Sequence, residues 1–326
     1  MFFTHTRTSI LTLTLILLLI ISACTAVNPT TKDGPTEVPM LRIAALTILD
    51  AFPMHVAQQQ GLFEKHGVKV ELIPVGSAPE RDQLIASGQA DGMINEALSS
   101  MIYNQDQVQV QIVRFARAAT SDTPLFSILA AGNSGITDLD GLKGVPIGIS
   151  EGTIIEYLTD RLLEAEGFTS SDIGSVAVPK ISDRMALLGS GELKAAMLPE
   201  PLSFLARQQG AKLIIDDTTH PQYSYSTITF RKPVIDQNPQ AVKAFLAALE
   251  EATVEINKDP NKWKQLLVDL NLLPPPLVES YQVPTFTATG IPSESQWFDV
   301  LAWAKENGLT EKDVPYQDSV NGSLLP

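Results

Sequence analysis

The side chains in this sequence best equipped for chemistry are carboxylates, set beside hydroxyls and flat rings. Asp50, Glu96, Glu151 and Glu200 each follow a short apolar run. Ser77, Asn95 and Thr153 bring hydroxyl and amide groups to similar positions, with Gly152 beside Thr153, and Phe52, Tyr223 and Tyr225 supply rings. The bases in the same segments are Arg117, Lys180 and the nearby Arg184, with Asp183 among them. Buried carboxylates need hydrogen-bond donors, and amines, hydroxyls and ring N–H groups provide them. Rings add stacking. An anionic ligand would instead call for arginine, lysine or bare helix N-termini. The pattern favours a neutral heteroaromatic ligand.

Parts for catalysis are missing. His55, His66 and His220 do not stand at metal-ligand spacing with an acid cluster. There is no Gly-x-Ser-x-Gly, no phosphate loop and no His-Glu-x-x-His. No metal or cofactor is expected. Asn321-Gly-Ser matches a glycosylation acceptor in form and reads as a C-terminal turn. One cysteine excludes an internal disulfide framework.

What must position these groups is large. A chain of 326 residues is long enough for two ordinary domains, and 44% apolar with 18% charged residues supports a real core. The 23 basic and 37 acidic residues leave a net charge of −14. That balance argues against nucleic acid and against basic docking on anionic lipid.

The first residues stand apart. Ile10 to Ile21 is an apolar run behind Arg7, too short to span a bilayer comfortably and of signal-peptide length. Ile-Ser-Ala-Cys at 21–24 resembles a bacterial lipobox, so residues 1–23 are expected to be a signal peptide and Cys24 a lipidation site. Residues 24–39, with three prolines and no apolar period, read as a tether.

The rest alternates strand and helix. Strands are expected at 41–46, 68–75, 90–95 and 110–115, with helices starting near Pro53 and Ser77 and passing through Met101. A second βα series has strands at 145–150, 175–180, 193–198 and 212–216, and a helix whose Ile154, Leu158 and Leu162 share a face. Residues 217–232 are polar and aromatic, and three helices close the chain. The pattern is α/β, with mostly parallel sheets and helices on both faces. Lobe one is expected at 40–125 plus 218–326 and lobe two at 126–217, with a hinge near 120–126 and 214–224.

Six stretches occur in order: GLFEKHGVKVEL (61–72), SGQADGMI (87–94), DLDGLKGVPIGIS (138–150), the helix to Gly167, AAMLPEP (195–201) and NPQAVKAFLAALEEATVEINKDP (238–260). Together they resemble the solute-binding proteins of ABC importers for nitrate, sulfonates, thiamine-precursor pyrimidines and riboflavin, over nearly all of 41–310. The resemblance implies a two-lobed periplasmic-binding-protein fold of type II. It also implies a monomeric, non-enzymatic lipoprotein outside the bacterial membrane that hands a small ligand to a permease. General likeness is greatest to riboflavin-binding members, which makes riboflavin the first expectation. A thiamine-precursor pyrimidine or an anion of the sulfonate or nitrate type is the alternative.

Ligands of open α/β sheets bind beyond the carboxyl ends of the strands. That rule selects Asp50, Phe52, Ser77, Asn95, Glu96, Glu151, Gly152, Thr153 and Glu200, with Tyr223 and Tyr225 on the return crossing. Each has a structural reading beside the functional one. Ser77 could cap its helix, Glu151 could serve the helix dipole, and the rings could be core.

Overall fold

The computed structural model describes residues 38–326. The expected signal peptide, the lipidation site expected at Cys24 and nearly all of the expected tether lie outside the described residues.

Two five-stranded sheets organise the chain. The first contains β1 (Met40–Leu46), β2 (Lys69–Val75), β3 (Gly92–Asn95), β4 (Val110–Ala118) and β10 (Tyr225–Arg231), in the order β2-β1-β3-β10-β4. The second contains β5 (Phe126–Ala130), β6 (Pro146–Ile149), β7 (Gly174–Ala177), β8 (Ala195–Pro199) and β9 (Lys212–Asp216), in the order β7-β6-β8-β5-β9. Each sheet is parallel except for one strand. β10 runs antiparallel to both its neighbours, and so does β5. The sheets are therefore mostly parallel, with one antiparallel strand in each.

The stretch 217–232, polar as a sequence, contains β10. Its Thr227, Thr229, Ile228 and Phe230 are at most 1% exposed. Threonine suits a pleated strand because its branched Cβ packs there. Phe230 lies so close to Gly92 on β3 that a Cβ on that glycine would meet the ring at 2.7 Å. Only glycine lets β10 lie beside β3.

Helices of two turns or more cover both sheets: α1 (Phe52–Gln59), α2 (Ala78–Ala86), α3 (Ala97–Asn104), α4 (Ile154–Ala165), α5 (Ile181–Ser190), α6 (Leu202–Gln208), α7 (Pro239–Lys258) and α8 (Glu294–Glu306). α7 buries the stripe Val242, Phe245, Leu246 and Leu249 against the first sheet's core. Phe245 stacks on Phe63 at 5.3 Å and meets Phe230 edge-on at 5.4 Å. Removing such a side chain costs about 3–5 kcal/mol. α4 buries Ile154, Leu158 and Leu162 as its spacing predicts, and Tyr157 and Leu163 with them.

The chain passes between the sheets at 119–125 and 217–224. The two passages are tied side by side, with Ala119 N donating to Ser224 O at 3.0 Å and Asp217 N to Phe126 O at 3.2 Å. The Asp217 carboxylate, fully buried, accepts from the amides of Leu125 and Phe126 and from the Ser224 hydroxyl. Burial pushes that carboxyl up to about 6 against these bonds. After α8 the chain returns to the first sheet, where Asn321 N donates to Ile112 O at 2.8 Å on β4.

Candidate functional site

A cavity lies between residues of the two sheets' units. Its walls are built where strands end and helices begin. β2 leads into α2, β3 into α3, β6 into α4, and the 178–180 segment into α5. Helix starts carry free N–H groups, so their caps are side chains. Ser77 caps α2, accepting from Glu80 N at 3.4 Å. Glu96 caps α3 with one oxygen, accepting from Ser99 N at 3.0 Å. Thr153 caps α4, accepting from Ile155 N at 3.2 Å and donating to Ser150 O. Gly152 enters that turn at φ +67°, a conformation that favours glycine.

Asp50, Asn95, Glu96, Thr153 and Tyr225 line the cavity, as the strand-end rule selects. Six other candidates do not. Phe52 is fully buried and stacks on Phe286 at 6.1 Å, because α1 turns its first residue into the core. Tyr223 stands edge-on to Tyr157 at 6.4 Å on the return passage. Glu200 accepts from Ser203 and Tyr281 in a separate pocket beside Phe204. Burial raises its pKa against those bonds. Ser77 and Gly152 stand at helix starts beside the cavity rather than in its lining, and Glu151 is exposed.

Asp50 is spent on a partner. Arg117 Nη1 donates to it at 3.1 Å, Ser226 also donates to it, and Arg117 Nη2 reaches Pro124 O at 3.1 Å. That ion pair is buried and internally neutral.

The cavity's own cations are two arginines that the sequence reading did not select. Arg81 is 2% exposed and Arg184 is 1% exposed. Each is the fourth residue of its helix, α2 and α5, facing the cavity. Arg81 Nε donates to Asp82 Oδ1 at 2.9 Å, and its Nη2 lies 3.7 Å from Glu96 Oε1. Burial works against the Arg81 charge, and Asp82 and Glu96 outweigh it, so its pKa stays above the ordinary value. Arg184 lacks such help. It donates from Nη1 to Val178 O at 3.2 Å, and burial pushes its pKa down to about 10. Burial likewise lifts the Glu96 carboxyl to about 7, against Arg81 and the Ser99 amide. A signal for both arginines does exist in the sequence: a cation in a helix's first turn opposes the helix dipole, so its placement asks for another reason.

Among the described residues, nine buried side-chain polar atoms have no hydrogen-bond partner. Six of them belong to residues that line this one cavity: Arg81 Nη2, Arg184 Nε, Ser150 Oγ, Tyr225 Oη, Asn95 Oδ1 and Glu96 Oε1. Leaving a buried polar atom unpaired costs about 1–3 kcal/mol. The two arginine atoms are donors, Asn95 Oδ1 is an acceptor, Glu96 Oε1 accepts when ionised, and the hydroxyls serve either way. The cavity is thus built for a molecule that both accepts and donates. The described residues hold no group of three or more His, Cys, Asp or Glu arranged to grip a metal.

A family model described as NMT1/THI5 like matches residues 49–263. A Haemophilus influenzae protein provisionally named a thiamine biosynthesis protein is 27% identical over 216 residues, 65% of this chain and 67% of that one. A Bacillus subtilis protein provisionally named an aliphatic sulfonates-binding protein is 24% identical over 237 residues, 70% of this chain and 69% of its own. The solved periplasmic aliphatic sulphonate binding protein from Escherichia coli superposes with a TM-score of 0.72 at 21% identity, covering 88% of this chain and 98% of that one. That last likeness shows a shared fold: two α/β units of the periplasmic-binding-protein kind.

Proposed function

Because the chain belongs to the NMT1/THI5-like family, we propose that it is the solute-binding component of an ABC importer. It captures a small ligand outside the cytoplasm and delivers it to a membrane permease, without catalysing a reaction. In this reading residues 40–125 with 218–326 form one lobe and 126–217 the other, and the protein works as a monomer. Residues 1–23 are a signal peptide, and 24–39 a tether lipidated at Cys24.

The observation that carries the reading is a set of six residues that line one cavity and each hold a buried polar atom with no hydrogen-bond partner. Four come from the first lobe and two, Ser150 and Arg184, from the second, so a ligand that meets them all bridges the lobes. Donors and acceptors together suit a heterocycle with ring nitrogens and an exocyclic amine. A thiamine-precursor pyrimidine has both, and the name of the Haemophilus influenzae relative points the same way. Riboflavin, the first expectation from sequence, loses its main support. Its case rested on general likeness to riboflavin-binding members and on rings to stack on the ligand, and of the three rings Phe52 and Tyr223 are outside the cavity lining. A sulfonate is the second reading, favoured by Arg184, which has no carboxylate partner.

Calorimetric titration of 4-amino-5-hydroxymethyl-2-methylpyrimidine, taurine and riboflavin into one preparation tests this. The pyrimidine is expected to bind and riboflavin to fail. Taurine binding without pyrimidine binding would install the second reading. Tight riboflavin binding would overturn both.

A further inference from the structure

Helix α4 touches the cavity and the C-terminal helix at once. Its start, Thr153 to Ile155, lines the cavity. Its following turns grip α8. Tyr157 Oη donates to Asp299 Oδ2 at 2.6 Å, and Arg161 Nε donates to the same oxygen at 3.2 Å. Trp303 Nε1 donates to Asp160 Oδ2 at 2.9 Å. The Tyr157 and Trp303 rings meet edge-on at 5.7 Å, and both residues are 1% exposed.

On its other side α8 is fixed to the first sheet's unit. Trp297, Val300 and Leu301 share a core with Ala97, Leu98 and Met101 of α3. Trp297 Nε1 donates to Val314 O at 2.9 Å, and the chain beyond runs onto β4, where Val320 bridges Ile112. The grip of α4 on α8 therefore joins the two units by direct contact, beside the passage at 217–224, where Tyr157 meets Tyr223 edge-on at 6.4 Å and Gln296 Nε2 of α8 donates to Gln222 O at 3.2 Å. At the cavity mouth the units meet through Leu49 N donating to Glu200 O at 3.2 Å and Ile181 N donating to Gly76 O at 3.5 Å. The second of these is at the limit of a hydrogen bond.

We propose that α8 is a third tie between the units: a latch, closed by Asp299, that holds the cavity mouth shut. The latch rests on the reading of the two sheets as lobes that move. A lobe pair hinged at two strands alone would open freely when unliganded. Bonds present in the closed arrangement and broken in the open one shift that equilibrium toward closure. Because α4 carries both contacts, opening the mouth and releasing α8 become one event. Ligand and latch then favour the same state, and a weaker latch lowers apparent affinity by lowering the closed fraction.

Hydrogen exchange read by mass spectrometry on the full chain, without ligand, tests the latch. Peptides covering 46–52 and 178–185 report the mouth; peptides covering 126–130 and 225–231 report the two sheets. In Asp299→Ala, exchange at the mouth should rise about fivefold or more, while the sheet peptides stay unchanged. Tyr157→Phe deletes one hydroxyl and keeps the packing, so it should show the same pattern at smaller size even if Asp299→Ala folds poorly. An unchanged mouth, with faster exchange confined to 153–166 and 294–306, would overturn the latch, and so would a uniform rise everywhere. The lobe reading fails by a separate result: mouth peptides in the unaltered protein exchanging no faster than the sheet peptides.

Discussion

Arg184→Met should make the unliganded protein more stable and a worse binder. The guanidinium is 1% exposed, and burial lowers its pKa from 12.5 to about 10. That drop corresponds to about 3 kcal/mol disfavouring the charged form in the folded state. Methionine has a similar length, fills the space and carries no charge. Against this stands the bond to Val178 O, and hydrogen bonds to charged groups contribute about 1.5–3 kcal/mol. The balance is a stabilisation of about 1 kcal/mol, which raises the melting temperature by roughly 2 °C in a protein of this size. Binding should move the other way. Loss of a charge-assisted bond to the ligand weakens affinity by about tenfold to a hundredfold. Scanning calorimetry without ligand and titration calorimetry with the pyrimidine or taurine read the two effects. A lower melting temperature with unchanged affinity would refute the reasoning and make Arg184 a structural residue.

Three further outcomes follow from the same site and its surroundings. Glu96 has its pKa raised to about 7 by burial, so its contribution to stability is full below the unfolded carboxylate range and is lost as pH rises through about 7. The melting temperature of the unaltered protein relative to Glu96→Gln should therefore fall between pH 4.5 and pH 8, by up to about 3 kcal/mol in equivalent stability, and a constant difference would contradict this. Tyr225→Phe removes a buried hydroxyl that has no partner, so stability should change by less than about 1 kcal/mol while affinity drops; a large loss of stability would show that the hydroxyl is bonded within the protein. Asp217→Asn places an amide among donors that need an acceptor, and denaturant unfolding should show a loss of at least about 2 kcal/mol.

The fold was legible because periodicity and strand-end geometry are local. α4 shows its buried face in the spacing of Ile154, Leu158 and Leu162, and Pro53 marks the first turn of α1. β10 was harder. Its serine and threonines read as polar, and what makes them interior is the strand's place between β3 and β4, which no local pattern carries. At the site, Glu96 and Thr153 were reachable because each serves as helix cap and cavity wall together. Phe52 and Tyr223 were not separable from true wall residues, since a ring's direction depends on what packs behind it. Arg81 and Arg184 lay in view, but acids drew attention to strand ends while these bases stand four residues into the next helix.

The insertion of β10 between β3 and β4 also orders events in time. A chain emerging from its N-terminus presents β1 to β4 early, yet β3 and β4 do not pair with each other. They wait for residues 225–231. The second sheet, by contrast, is drawn from the unbroken stretch 126–216 and is complete before β10 appears. The inserted unit can therefore form first, while the unit that encloses it remains an unfinished sheet. The cavity, which takes Tyr225 and Ser226 from β10, is assembled last. A nascent chain halted before residue 225 would hold one finished sheet and no binding site.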